Sequence, residues 1–321
     1  MAELGQLILS TLVYFDIFDY PLTLVEIHNL LLDLNGSQSP VKLDEVRNTL
    51  DRSRFLEKRI CRKSGFFYLR GRDKILSSRH QRYIIAKRKF DYARKILDML
   101  KHIPFTRAIF VCNSLAINNT KKTSDIDLII VAKKHGVWLA RLFSLILLSI
   151  MRIRPAFNEA GRPVHKNMKD KICLSVFVDE DHLDFSSLRM GKRDVDFMYW
   201  VSNFYPVYDE RGLYRTFWNI NQEWLKKSLV NSSPCVAHPN RVIHAQTFIR
   251  ALAEFLLRPF SVFAAIAQKA KFPKQIKELI NQDTRVIIKD GLLKFHVNDK
   301  RMEHLEMFVR RYESAVKALK P

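Results

Sequence analysis

Apolar residues recur at helical spacing through Leu4–Phe18, at Leu4, Leu7, Ile8, Leu12 and Phe15, so the chain is expected to open on an amphipathic helix. Pro21 interrupts that pattern. Thr23, with Glu26 three residues later, has the form of a capping box ahead of a second helix whose buried face is Leu24, Ile27, Leu30 and Leu31. The polar run at residues 35–40 is a loop, and Leu43–Phe55 predicts a third helix with Val46, Leu50 and Phe55 inward. Ile60–Arg62 and Phe66–Leu69 then flank Lys63-Ser64-Gly65, which predicts a β-hairpin. Residues 75–101 predict one long helix. After it the pattern changes. Phe105–Cys112, Asp125–Ala132 and Ile172–Val178 are strand-like runs, and Val137–Ile150 is an apolar helix between the last two. Residues 186–321 are expected to be mostly helical, with breaks at Asn231–Pro239 and near Phe272-Pro273. The chain therefore predicts an α+β protein in four parts: residues 1–75, a linking helix at 76–101, a small mixed sheet with flanking helices at 102–185, and a helical domain at 186–321.

The order helix, helix, helix, two-stranded wing resembles a winged helix-turn-helix domain over the first quarter of the chain. The resemblance implies a third helix placed in the major groove of nucleic acid and a wing placed on phosphate. On this chain the third helix offers Lys42, Arg47, Asn48, Arg52 and Arg54, and the wing offers Arg59, Arg62 and Lys63. The same architecture also serves as a protein–protein module or a packing domain.

Charge sharpens the picture. The net charge is +21, and residues 52–95 hold sixteen Lys or Arg against three acids, so thirteen of those charges fall within 44 residues. Charge kept only for solubility would be spread along the chain. The concentration points to a polyanionic partner, with nucleic acid first. Tyr68, Tyr83 and Tyr92 are interleaved with the basic residues, as base-stacking surfaces or as core positions.

The chemistry sits in residues 105–132. Phe110-Val111-Cys112-Asn113-Ser114-Leu115 ends the first strand in a polar turn, and Ser124-Asp125-Ile126-Asp127 begins the second. Strand side chains alternate faces, so Asp125 and Asp127 share one side. Two neighbouring carboxylates repel each other unless a cation lies between them, and hard oxygen ligands suit Mg²⁺ (or Mn²⁺). Residues 110–131 resemble the signature of the polymerase-beta-type nucleotidyltransferase superfamily: an apolar residue, a small-residue pair, a gap of about ten residues, then Asp-apolar-Asp. The whole arrangement is also similar to bacterial proteins that join a winged helix to such a domain. The resemblance implies that Asp125 and Asp127 ligate the metal and that the turn at Asn113 and Ser114 meets the triphosphate of a nucleoside triphosphate. Lys121 and Lys122 lie in the loop between, and read equally as further phosphate contacts or as loop solubilisers. The implied reaction is in-line attack of an acceptor hydroxyl on the α-phosphorus with loss of pyrophosphate. Two positions depart from the family pattern. Asn113 replaces a glycine, a change tolerated by a left-handed backbone. The third carboxylate expected on a later strand is missing: Ser175 is the one fully polar side chain of Ile172–Val178, with Asp170 before that run and Asp179, Glu180 and Asp181 after it. The alternative reading is accordingly a nucleic-acid-binding protein whose transferase domain has lost its chemistry.

Other polar clusters carry less. Residues 294–301, Lys-Phe-His-Val-Asn-Asp-Lys-Arg, fit either a hydroxyl-activating His296 or a buried structural histidine. Asp194 and Asp196 fit an acidic first turn of a helix. The four cysteines are widely spaced with no CxxC pair, which argues against zinc and a disulfide framework. Residues 1–6 lack a signal-peptide pattern, so a cytoplasmic protein is expected. Val137–Ile150 is too short to span a bilayer and is interrupted by Arg141; Ala251–Ala267 is broken by Glu254, Arg258 and Pro259. Both read as core helices, with peripheral membrane contact as the lesser alternative because basic residues flank each.

Overall fold

The computed structural model describes residues 2–36, 39–155, 168–235 and 244–317. Helix α1 (Ala2–Asp16) is followed by a two-residue strand β1 (Leu22–Thr23) and α2 (Leu24–Asn29). Thr23 and Glu26 form the expected capping box: Glu26 N–H donates to Thr23 Oγ1 at 3.3 Å, and Thr23 N–H donates to Glu26 Oε2 at 2.8 Å. The third predicted helix is split at Ser53 into α3 (Leu43–Arg52) and α4 (Arg54–Glu57), because the Ser53 side chain caps the second piece. The hairpin is β2 (Ile60–Lys63) and β3 (Phe66–Leu69), closed by Ser64-Gly65 with both residues at positive φ. Together β1, β3 and β2 make a three-stranded antiparallel sheet.

The long helix α5 (Ile75–Leu100) leads into a six-stranded mixed sheet. The chain continues through β4 (Thr106–Val111), a single helical turn α6 (Asn113–Ala116), β5 (Ile126–Ala132), α7 (Val137–Ile150) and β6 (Ile172–Asp179). Next come α8 (Val195–Ser202), β7 (Tyr205–Asp209), α9 (Leu213–Lys226), α10 (His244–Leu257), α11 (Ser261–Ala270) and α12 (Lys274–Leu279). The chain closes with β8 (Val286–Lys289), β9 (Leu292–Phe295) and α13 (Arg301–Lys317). The strand order is β7-β4-β5-β6-β9-β8. Among the described strands, β5 and β6 pair in parallel, with α7 between them in the chain, and the other strand pairs in the sheet are antiparallel.

This corrects the expectation of a separate helical domain at 186–321. That segment supplies β7 at one edge of the sheet and the β8–β9 hairpin at the other. One apolar cluster joins α1, α8 and α9 to one face of the sheet through Phe110, Ile129, Val176 and Phe217. The other face packs against α5, α7 and α11 through Ile109, Leu128, Ile130 and Phe177. The boundaries at 75 and 185 therefore do not separate cores. Among the described residues, no helix is long and apolar enough to cross a membrane.

Packing also redistributes the basic stretch. Arg72 pairs with Asp16 and Asp19 at 2.7 and 2.6 Å, Arg79 with Glu26 at 2.6 Å, Arg82 with Asp19 at 3.2 Å, and buried Lys89 with Asp170 at 2.7 Å. These cations hold elements together. Arg52, Arg54, Lys58, Lys63, Lys87, Arg88, Arg94 and Lys95 remain exposed, as do Tyr83 and Tyr92 on α5, whereas Tyr68 is buried and bonded to Asp73. On α3, Arg47 is exposed and paired with Asp44; on the hairpin, Arg62 pairs with Asp51 and lies over the Phe67 ring.

Arg59, expected on the wing as a phosphate contact, is committed elsewhere. Its guanidinium donates to the carbonyls of Ala315 at 2.8 Å and Val316 at 3.0 Å, closing the last turn of α13, and to Phe55 O at 2.8 Å. A cation on helix-terminal carbonyls is a stabilising contact. Arg59→Ala is expected to cost about 1–2 kcal/mol and to speed amide exchange in the last turn of α13. Arg62→Ala and Lys63→Ala should stay within about 0.5 kcal/mol of the parent. Denaturant melts and hydrogen exchange check both statements.

Candidate functional site

Asp125 and Asp127 lie at the head of β5, on the face opposite buried Ile126 and Leu128. The loop before them is clamped from behind. Lys89 Nζ donates to Ser124 O and to Asp170 Oδ1, both at 2.7 Å, and Ile126 N–H donates to Lys171 O at 2.8 Å. Asp170 is thereby engaged with Lys89.

Facing the pair, the chain leaves β4 through Cys112 and turns at Asn113, whose φ is +57°. Asparagine adopts this left-handed conformation more readily than most residues. The Asn113 side chain favours the ionised form of Asp127, against the larger upward effect of burial. The turn is anchored on its outer side by Arg82, which donates to Asn119 Oδ1 at 2.9 Å, and by Tyr20 OH, which donates to Ile117 O at 2.7 Å.

The parallel register sets Cys173 directly beside Asp127. Ligand atoms of Asp125, Asp127 and Cys173 all lie within 4.8 Å of one another. Burial raises the Cys173 thiol well above its usual range, and the Asp127 carboxylate raises it further. A protonated thiol bonded to a carboxylate is a poor ligand for a hard cation, so the donor set that fits Mg²⁺ is the two aspartates. Burial also raises both carboxyls; Asp125 adds to the effect on Asp127. Such a pair is costly in the apo protein and is relieved by a divalent cation.

Ser175 sits at a bulge in β6, buried and turned toward Cys112. Asp179, the last residue of β6, and the two acids that follow it lie away from the aspartate pair. Asp179 is six residues beyond Cys173, roughly 17–20 Å along the strand at about 3.3 Å per residue. There Asp179 is bonded to His182 at 2.6 Å, Asp181 to Lys134 at 2.6 Å, and Glu180 accepts from Lys134 N–H at 3.3 Å. Lys121 and Lys122 are exposed on the intervening loop and line neither cavity at the site.

Two cavities meet here. The larger, about 1060 Å³, is lined by Asp125, Asp127, Cys173 and Ser175, with an apolar wall from α7, Phe272 and Ile276. The smaller, about 320 Å³, is lined by Asn113 and Ser114 together with Asp196, Lys294, Lys300 and Arg301. His296 and Asn298 line both. The segment 294–301, ambiguous in the sequence, thus belongs to the site, carried there by β9 beside β6. Its signal was the Asp290-Gly291 turn between Val-Ile-Ile-Lys and Leu-Leu-Lys-Phe, the pattern of a tight hairpin. Burial, with Lys294 nearby, depresses the His296 pKa and keeps the imidazole neutral. Lys294 is itself pulled down to about 8 by burial and by Arg301. Arg301 is fixed by Asp299 and Asp194, both at 2.7 Å. Asp194 caps α8 through Phe197 N–H, as its place at a helix start suggested. Asp196 accepts from Tyr14 OH at 2.7 Å and meets His304 Nδ1 at 3.1 Å.

Arg141 lines the larger cavity from α7. It is buried, donates to Gln268 Oε1 at 2.6 Å and lies over the Phe295 ring at 4.5 Å, with no acid partner among the described residues. Burial and the neighbouring Arg154 lower its pKa to about 9. Comparison of the chain with family models, curated proteins and solved structures gives no match in any of the three.

Proposed function

We propose that this chain is a Mg²⁺-dependent nucleotidyltransferase, with Mn²⁺ as the substitute ion, transferring a nucleoside monophosphate from a nucleoside triphosphate to an acceptor hydroxyl. The observation that carries this reading is the placement of Asp125 and Asp127 on one face of β5, opposite the left-handed Asn113 turn, where they line the larger of two cavities that share His296 and Asn298. The two carboxylates would hold the cation, which supplies charge stabilisation at the α-phosphate and at the acceptor oxygen. The smaller cavity suits the triphosphate, because its lining combines Asn113 and Ser114 with Lys294, Lys300 and Arg301, alongside Asp196 and Asp299. The larger cavity suits the acceptor. The acceptor oxygen bonds to the α-phosphorus as the bond to the pyrophosphate oxygen breaks, and the hydroxyl proton passes to a base. His296, the neutral imidazole that lines both cavities, takes that role in this reading.

One observation favours the second reading, a nucleic-acid-binding protein with a degenerate transferase domain. The position beside Asp127 is occupied by Cys173 rather than by a third carboxylate. In that reading the winged-helix-like amino-terminal part and the exposed cations of α3, the β2–β3 hairpin and α5, including Arg47, Arg52, Arg62 and Lys63, are the working surface.

A thermal-shift series with each nucleoside triphosphate, with and without Mg²⁺, separates the two. At a hundredfold excess over Kd, a bound nucleotide should stabilise the protein by about 2.7 kcal/mol, with the shift requiring the metal. Incubation with labelled nucleotide and cell extract should then label an acceptor. If no nucleotide gives a shift and no product is labelled with Mg²⁺ or Mn²⁺, the transferase reading fails. Duplex binding whose logarithm falls steeply with the logarithm of salt would then establish the second.

A further inference from the structure

The helices α10 and α11 are built inside out. On α10, the stripe Phe248, Ile249, Leu252, Phe255 and Leu256 is 51–77% exposed, while Arg250 and Glu254 on the opposite face are buried. On α11, Val262, Phe263 and Ile266 are 61–70% exposed, while Ala264 and Gln268 are buried. Phe260, in the 3₁₀ turn Arg258–Phe260 between them, is also exposed. The polar residues turn inward because they have partners there: Glu254 binds Arg107, and Gln268 binds Arg141 and Trp138 O. The apolar residues are left on the outside at helical spacing. A soluble surface scatters its large apolar residues singly, whereas a contiguous stripe of this extent needs a nonaqueous partner.

The charges around the stripe select the partner. Over residues 244–277 the one acid is Glu254, which is buried. The exposed charges are Arg258, Lys269, Lys271, Lys274 and Lys277, with Glu278 set against Lys274 alone. A second copy of the chain would bring these cations, and a net charge of +21 each, face to face. An anionic bilayer neutralises them while taking up the apolar stripe.

We propose that α10 and α11 form an interfacial membrane-docking surface: they lie in the plane of an anionic bilayer, with the Phe, Ile and Leu side chains below the headgroups and the flanking cations among the phosphates. This proposal does not rest on the nucleotidyl-transfer reading. The docking is peripheral, driven by buried apolar area and strengthened by charge.

Vesicle flotation tests it with the full chain, using vesicles of phosphatidylcholine alone or enriched in phosphatidylglycerol. The protein should float with the anionic vesicles, more weakly at high salt, and poorly with the neutral ones. The double variant Phe255→Glu/Phe263→Glu changes two side chains that are 76% and 70% exposed, so its thermal melt should match the parent. Its partition onto anionic vesicles should fall by roughly a hundredfold. A parent chain that does not float with anionic vesicles overturns the proposal. So does a double variant that floats as well as the parent, which would assign membrane attraction to the general basic surface. A parent that sediments as a dimer, ignores vesicles and becomes monomeric with the double substitution would instead assign the stripe to a second copy.

Discussion

Asp127→Asn is expected to abolish the proposed nucleotidyl transfer, by at least about a thousandfold, while leaving the chain folded. The two halves of this outcome have one physical cause. Burial and the neighbouring Asp125 make the ionised Asp127 carboxylate unfavourable in the apo protein. Asparagine is isosteric, keeps a side-chain oxygen for Asn113 and Cys173, and removes the like-charge repulsion. The sign follows from the raised pKa: above the ordinary carboxylate range, the folded state holds a proton that the unfolded state has released, so folding is penalised there. Removing the ionisable group lifts that penalty, and the apo variant should gain on the order of 2 kcal/mol at neutral pH. On the proposed reading the cation would lose a hard ligand and half of its local counter-charge. Asp125→Asn should act in the same direction. Thermal melts of apo protein, and of protein with nucleoside triphosphate and Mg²⁺, separate the effects: both variants melt at or above the parent when apo, and neither responds to nucleotide. Variants that respond to nucleotide and Mg²⁺ as the parent does would place the site elsewhere.

Glu254→Gln carries the largest expected loss of stability. The buried Glu254 carboxylate accepts from Phe105 N–H at 2.9 Å, from Arg107 at 2.8 and 2.6 Å, from Arg250 at 3.2 Å and from Lys133 at 3.2 Å. It thereby ties α10 to the start of β4, where Phe105 holds a φ of +71° and its ring lies so close to Gly136 that a Cβ there would come within 2.5 Å. Neutralising the glutamate leaves the buried Arg107 and Arg250 with less counter-charge. The cost is about 3–5 kcal/mol, the scale of breaking a buried pair from one side. In a chain of this size that lowers Tm by roughly 5–10 °C. Acid dependence supplies a second readout. Burial alone would raise the Glu254 pKa, but hydrogen bonds from Arg107 and Phe105 outweigh it and pull the group from 4.5 to about 2. Its contribution is therefore fully present above pH 4.5 and is lost as the pH falls toward about 2. The Gln variant should show a flatter acid limb in that window. An unchanged melt and an unchanged acid limb would mean that the cluster contributes no net stability.

Local chemistry made much of the chain legible. The Thr23–Glu26 box, the hairpin turn at Ser64-Gly65 and the long α5 helix follow from spacing and turn residues within a few positions of one another, and each forms where the sequence puts it. The alternation of Asp125, Ile126, Asp127 and Leu128 likewise determines which side chains share a face before any tertiary contact exists. Partners distant in sequence could not be read this way. Tyr205–Asp209 is too short and too interrupted by Pro206 to announce a strand, and it becomes one because β4 offers an open edge. Val286–Lys289 and Leu292–Phe295 pair with each other locally, but only β6 brings them, and with them Lys294 and His296, to the aspartate pair. The fate of each cation was equally hidden. Arg59, Arg79 and Lys89 are indistinguishable in the sequence from exposed neighbours such as Arg88 and Lys95, and their roles arise chiefly from carbonyls and carboxylates between 35 and 257 residues away. The same holds for α10, whose apolar stripe predicts a core helix. Its buried charges found partners in Arg107 and Phe105, and that pairing turned the apolar face outward.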